Sequence, residues 1–400
     1  MKYDFTTILD RHGKDALAVD GIGNTRFAPK KPKGDKKVIP MWVADMNFAT
    51  CPAIQEAITE RVKHPCFGYF SPSDAYYDSI KKWQREQNGV EDLESEAIGY
   101  ENGVLGCLAS AVEAFTSPGD AILIHSPVYV GFTGTIENLG RKIIHSPLVQ
   151  DEQGIWRMDY KDMDQKMKEH HIHFAVFCSP HNPCGRVWTR EEIEGAMEVY
   201  KNNEAVVVSD EIWSDILLDG NKHIPTQSVS EDAKNRTIAV YAPSKTFNLA
   251  GLVGSYHIVY SKYLRERLDQ RASLSHYNSM NVLSMHALIG AYSEDGKEWV
   301  KELCETLSEN VKYAVKRINE EFDGIYTTKP EGTYMLFLNC REWCEKNKKT
   351  MDDLIQKGWE EGVAWQDGRP FFDEYAIRMN LALPKVLLTE ALDRLKEKVI

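Results

Sequence analysis

Ile238-Ala239-Val240-Tyr241-Ala242-Pro243-Ser244-Lys245-Thr246-Phe247-Asn248 is an apolar run that breaks into a small-residue turn and delivers a lysine, with Gly251 and Gly254 close behind. The run has no polar face and is short, so it predicts a strand buried on both sides. Most lysines stay in water. One that follows a buried strand can lose its proton and form a Schiff base, which makes Lys245 the first candidate for covalent chemistry.

With this run, at 237–241, apolar runs lie at 121–125, 174–178, 205–208 and 255–260, and helical patterns at 191–201 and 261–273 fall among them. This alternation predicts an α/β domain with a mainly parallel sheet. From about Ser293 the texture changes to long charged helices at 297–321, 351–361 and 387–399, around a strand-like 333–338. These predict a smaller α+β domain, with which the N-terminal segment up to about Met46 would pack.

The 400 residues carry a net charge of −12, which argues against broad attraction to nucleic acid or to an anionic membrane surface. The basic run Lys30 to Lys37 is broken by proline and glycine and reads as a solvated loop. The eight cysteines are scattered without a Cys-x-x-Cys pair, as in a reducing compartment. The start lacks an apolar leader and no stretch is long enough to span a bilayer, so a cytoplasmic protein is expected. The run His170-His171-Ile172-His173 reads as a solvated helix end rather than a set of metal ligands.

Other strand ends carry polar groups too. Val206-Val207-Val208-Ser209-Asp210-Glu211 places two acids after an apolar strand, where a carboxylate faces a ligand crevice or caps a helix. Ser179-Pro180-His181-Asn182-Pro183-Cys184-Gly185 follows another such strand, and Ser126-Pro127-Val128-Tyr129 a third. Glu101-Asn102-Gly103-Val104-Leu105-Gly106 opens a helical pattern at 107–115, and N–H groups at a helix start can bind phosphate without basic side chains. Near the other end, Arg378 lies in Tyr375-Ala376-Ile377-Arg378-Met379-Asn380-Leu381.

In this order, Asn-Pro-x-Gly, Asp-Glu-Ile and Ser-Lys-Thr-Phe resemble the fold-type I pyridoxal 5′-phosphate (PLP) enzymes of the class I/II aminotransferase superfamily, over essentially the whole chain. The resemblance implies an aspartate aminotransferase-like fold. It would comprise a large PLP-binding domain (47–290) with a mainly parallel seven-stranded sheet flanked by helices, and a small domain from 1–46 and 291–400. It also implies that Lys245 is the catalytic residue and holds PLP as an imine, that Asp210 pairs with the pyridinium nitrogen, and that Asn182 donates to the phenolate oxygen. Tyr129 would stack on the ring, and Arg378 would clamp the substrate carboxylate through a guanidinium fork.

Within the superfamily the chain is similar to the MalY/PatB group of cystathionine β-lyases. The similarity rests on Pro40-Met41-Trp42-Val43-Ala44-Asp45-Met46, Phe67-Gly68-Tyr69, Gly185-Arg186-Val187-Trp188, Glu331-Gly332-Thr333-Tyr334 and the Lys245 segment. It implies a homodimer in which Tyr69 reaches the neighbour's phosphate, joining Gly103, Val104, Leu105 and Ser244. Ala44 would lie against the substrate. Val253 stands where the wider family often has an arginine for the phosphate, as in the lyase group. Two positions depart from the group: Trp213, near the cofactor, where lyases often carry His and aminotransferases Tyr, and Asn47, where an acid is more usual. The activity implied is α,β-elimination from cystathionine or another cysteine S-conjugate, giving thiol, pyruvate and ammonia. The alternatives are transamination of a small amino acid and, with no interaction motif to favour it, a regulatory binding protein.

Overall fold

The lysine-bearing run forms an inner strand of a seven-stranded sheet in the computed structural model, which describes residues 1–24, 28–275 and 278–400. The sheet runs in the order Ile98–Glu101, Ser255–Ile258, Thr237–Tyr241, Val206–Asp210, Phe174–Cys178, Ala121–Ser126, Lys142–Pro147. Ser255–Ile258 is antiparallel to both of its neighbours, and the remaining pairs are parallel. The architecture is the mainly parallel, helix-flanked sheet that the alternation of runs predicts.

The inner strands read clearly because both faces are covered. Phe174–Cys178 and Thr237–Tyr241 are buried at every position. On one face the helix Val104–Phe115 lays Cys107, Leu108, Ala111 and Val112 onto a core that includes Ile122, Ile124, Val176, Val208, Ile238 and Val240. Each such side chain contributes roughly 1.5–3 kcal/mol if fully buried. The two outer strands, absent from the apolar runs, are a four-residue strand containing Gly99 and the half-buried Lys142–Pro147. An edge strand has no second covered face, so it lacks a continuous apolar signature.

The strand expected at 205–208 instead ends at Asp210, because pairing continues through Cys178↔Asp210 and Asp210↔Val240. The backbone ladder therefore fixes Asp210 itself.

The chain divides into two compact units: 50–182 with 186–301, and 1–49 with 183–185 and 302–400. The second contains a four-stranded antiparallel sheet in the order Tyr326–Thr327, Met335–Asn339, Ala376–Asn380, Gln366–Asp367. The helices Met351–Glu360 and Lys385–Lys398 belong to this unit, the first opened by a reciprocal Thr350–Asp353 capping box. Among the described residues, no helix is long and apolar enough to cross a membrane.

Candidate active site

In the larger unit, sequence-predicted residues gather at the carboxyl ends of the inner strands. Lys245 lies in the short helix Pro243–Thr246, which begins two residues after the strand Thr237–Tyr241 with proline in its first turn. Its Nζ lies 5.9 Å from the centre of the Trp213 ring, itself buried. Asp215 ties this helix to the Trp213 turn, accepting from the Thr246 hydroxyl at 2.8 Å and the Trp83 indole N–H at 3.0 Å. Sequence reasoning missed Asp215. Its signal, a polar residue five positions beyond a strand-end acid, means nothing until Thr246 and Trp83 are brought beside it.

Asp210 closes its strand with a carboxylate only 4% exposed. Burial pushes its pKa up to about 7, against the Ile212 N–H bond and the charge of Lys245, while the Glu211 carboxylate adds to the rise. Glu211 points into a different environment. It accepts from the Ser209 hydroxyl, His223 Nε2, the Tyr241 hydroxyl and the Thr226 N–H. Burial raises its pKa, but His223 and these hydrogen bonds outweigh that penalty and hold it below the ordinary range.

The turn bearing Asn182 is held by its neighbours. His181 donates from Nε2 to the Pro127 carbonyl at 2.8 Å, and its backbone N–H donates to the Arg186 carbonyl. Burial lowers the His181 pKa to about 4, so the ring is neutral at physiological pH. That bond joins the Asn182 turn to the turn that ends in Tyr129. The Tyr129 ring packs edge-on against Phe132 at 5.4 Å. A Cβ at Gly131 would sit 2.4 Å from it, so the glycine gives the ring its place.

Gly103 starts the helix Val104–Phe115 at φ +77°, a conformation open chiefly to glycine, and no side chain caps that start. The first N–H groups of a helix have no acceptor within it. A Cβ on Gly103 would meet no protein atom within 4 Å, so the space ahead of the helix is open to a ligand. Ser244 sits one residue before Lys245 in the lysine helix. Tyr69 is elsewhere: it is fully exposed, in the irregular stretch between the helices Pro52–Lys63 and Asp74–Asn88.

In the smaller unit, Arg378 lies buried in the strand Ala376–Asn380. Its Nη2 donates to the Trp42 carbonyl at 3.2 Å and Gln366 Oε1 at 2.5 Å, and its guanidinium lies 4.4 Å from the Phe371 ring centre. Two residues on, Asn380 donates to the carbonyls of Val43 and Asp45, each at 2.7 Å, fixing the loop around Ala44. Asn47 pins the same loop, with its amide donating to the Pro40 carbonyl and its oxygen accepting from Arg11. Arg11 also pairs with Asp45 at 2.6 Å. An acid at position 47 could not make the Pro40 bond.

The larger unit thus offers an amine, a buried acid, an aromatic face, an amide and a helix start that no side chain caps. As a donor set it fits PLP, whose carbonyl, ring nitrogen, π face, phenolate and phosphate call for these groups.

Comparison with known proteins bears on the cofactor. Cystathionine beta-lyase PatB of Bacillus subtilis is 32% identical over 91% of this chain and 93% of its own length. The PLP-bound putative aminotransferase of Clostridium difficile 630 superposes with a TM-score of 0.91 at 32% identity, covering 100% of both chains. The PLP-bound C-S lyase of Staphylococcus hominis gives a TM-score of 0.89 at 27% identity, covering 100% of this chain and 99% of its own. Residues 36–395 match the family described as Aminotransferase class I and II, and the chain belongs to that family.

Proposed function

We propose that the protein is a PLP-dependent C–S lyase that splits cystathionine or another cysteine S-conjugate by α,β-elimination. What carries the reading is the placing of Lys245 and a buried Asp210 at the ends of adjoining strands, in a chain similar to proteins named as lyases. When bound, PLP supplies a sink for the electron pair left at the substrate Cα.

The chain's own residues do the rest. Lys245 would hold the cofactor through its amine and, with that amine free, would take the Cα proton as general base. Asp210 presents its negative charge to the ring nitrogen and keeps that nitrogen protonated. The N–H groups of Val104 and Leu105, with Gly103 and Ser244, take the phosphate, Asn182 donates to the phenolate oxygen, and Tyr129 covers the ring. Arg378, its guanidinium held by bonds to Trp42 and Gln366, would take the α-carboxylate, and Ala44 would lie against the substrate. With the Cα proton on Lys245, rupture of Cβ–S would release thiolate, and the rest of the substrate would leave, with one water taken up, as pyruvate and ammonia. Trp213 lies against Lys245 and can donate an N–H but accept nothing, so it cannot relay the proton onward.

The same reading makes the enzyme a cytoplasmic homodimer in which Tyr69 reaches the neighbour's phosphate. Supporting it, Tyr69 is fully exposed, Phe67 and Phe70 are exposed beside it, and the eight cysteines form no disulfide among the described residues. Transamination is the second reading, favoured by the Clostridium difficile protein, which is described as a putative aminotransferase. It would use the same residues up to the proton on Lys245. Cystathionine incubated with the enzyme and no keto acid is expected to yield pyruvate. Amino transfer that requires a keto acid, with no pyruvate formed, would overturn the lyase assignment.

A further inference from the structure

The turn that leads into the helix Val104–Phe115 is tied down from behind by side chains that take no part in the mechanism above. Asn278 makes three bonds to it. Its Nδ2 donates to the Tyr100 carbonyl at 2.7 Å and to Glu101 Oε2 at 2.8 Å, and its Oδ1 accepts from the Asn102 N–H at 2.7 Å. Glu101, 1% exposed, has its other oxygen bonded to His257 Nδ1 at 2.7 Å. The Glu101 carbonyl accepts from the Gly103 N–H at 2.9 Å and from the Ser255 hydroxyl at 3.1 Å. Even the strand is shaped for this. A Cβ at Gly99 would lie 2.2 Å from the His257 ring, so the glycine makes the space in which the imidazole meets Glu101.

Glu101, Cys107 and His257 also put ligand atoms within 4.8 Å of one another, a spacing a metal ion could use. Both Glu101 oxygens already accept hydrogen bonds, so the cluster is complete without an ion.

We propose that Asn278, Glu101 and His257 are positioning residues that hold the 100–103 turn so that the N–H groups of Val104 and Leu105 converge on a phosphate monoester. The inference rests on the cofactor reading above. A turn already ordered on folding loses no further freedom when the phosphate arrives, so its N–H groups discriminate for that group rather than merely tolerating it. The bonds named above run to the turn and its strand, so the network bears on the phosphate end of the cofactor.

The test compares PLP with pyridoxal, which lacks the phosphate, by titrating cofactor-free protein and following the absorbance change on binding. Asn278→Ala and His257→Leu are expected to weaken PLP by about tenfold, as for loss of a buried hydrogen bond to a charged group, while pyridoxal affinity stays as in the native protein. His257→Asn, which returns an amide N–H to the place of Nδ1, restores most of the PLP affinity. Gly99→Ala, which displaces the ring, behaves like His257→Leu. Thermal unfolding of the cofactor-free variants checks that they fold. Equal losses for both ligands, or unchanged PLP affinity, would overturn the inference alone, as would a stoichiometric metal ion in the purified protein. A native protein with no absorbance change on adding PLP would overturn the cofactor reading and this inference with it.

Discussion

Asp210 and Glu211 follow one another in the chain, at 4% and 0% exposure, yet their surroundings oppose each other. Glu211 faces donors from Ser209, His223, Tyr241 and Thr226, and its charge is welcome. Asp210 has the Ile212 N–H and the field of Lys245, and burial still pushes it up to about 7. One side chain, just past the strand end, enters a finished network, and the other, on the last strand residue, lies in the field of an amine. Burial alone does not say what a carboxylate is for; the donors around it do.

The sharpest way to break that contrast is Asp210→Asn. The amide fills the same space but brings no charge to a ring nitrogen, so turnover with cystathionine is expected to fall by about 10³-fold, in the range seen when a preorganised electrostatic partner is lost. Thermal unfolding should show the fold intact. A variant retaining a tenth of native turnover would remove Asp210 from the mechanism.

Glu211→Gln inverts the outcome. The carboxylate is the acceptor for a fully buried histidine and for a tyrosine whose own pKa is driven up by burial and by Glu211. An amide cannot accept on both sides, and removing one partner of a buried charged network costs about 3 kcal/mol. Denaturant unfolding should show that loss while kcat of the folded enzyme changes only a few-fold. A stable Glu211→Gln protein with crippled turnover would mean that the two acids have been assigned the wrong way round.

The chain announces the two carboxylates equally. Both stand after Val206-Val207-Val208, which reads as a buried strand because parallel strands are covered on both faces, and the same holds for the Lys245 and Asn182 segments. The inner sheet was therefore legible, and so was the line of polar groups at its carboxyl edge. The sorting of Asp210 from Glu211 was not, since His223, Thr226 and Tyr241 lie 12 to 30 residues away. Asp215, His257 and Asn278 were silent for the same reason: their partners lie 31 to 178 residues distant, and a lone polar residue carries no periodic signal. Asn47 looked like an anomaly in the sequence and becomes intelligible only as a donor to Pro40. The outermost strands escaped because an edge needs only one apolar face.

The last effect concerns pH, and in the cofactor-free protein the two acids should pull in opposite directions. For Asp210 the unfolded chain titrates at 3.8 and the folded one at about 7. Between those values the folded state holds a proton that the unfolded state has released, so stability falls as pH rises through that window. Glu211 has its folded pKa below 4.5, so its contribution is present above 4.5 and is lost as pH falls toward the folded value. Unfolding measured at pH 5 and pH 8 reads Asp210 alone, because Glu211 is ionised in both states across that range. Asp210→Asn removes the loss on the alkaline side and should leave the cofactor-free variant about 4 kcal/mol more stable than the native protein at pH 8, with little difference near pH 4. With cofactor bound, a protonated ring nitrogen would face the Asp210 charge, and the native profile should flatten between pH 5 and 8. Parallel profiles for the native and Asp210→Asn proteins without cofactor would show that Asp210 carries no burial penalty, and the contrast with Glu211 would then rest on hydrogen bonding alone.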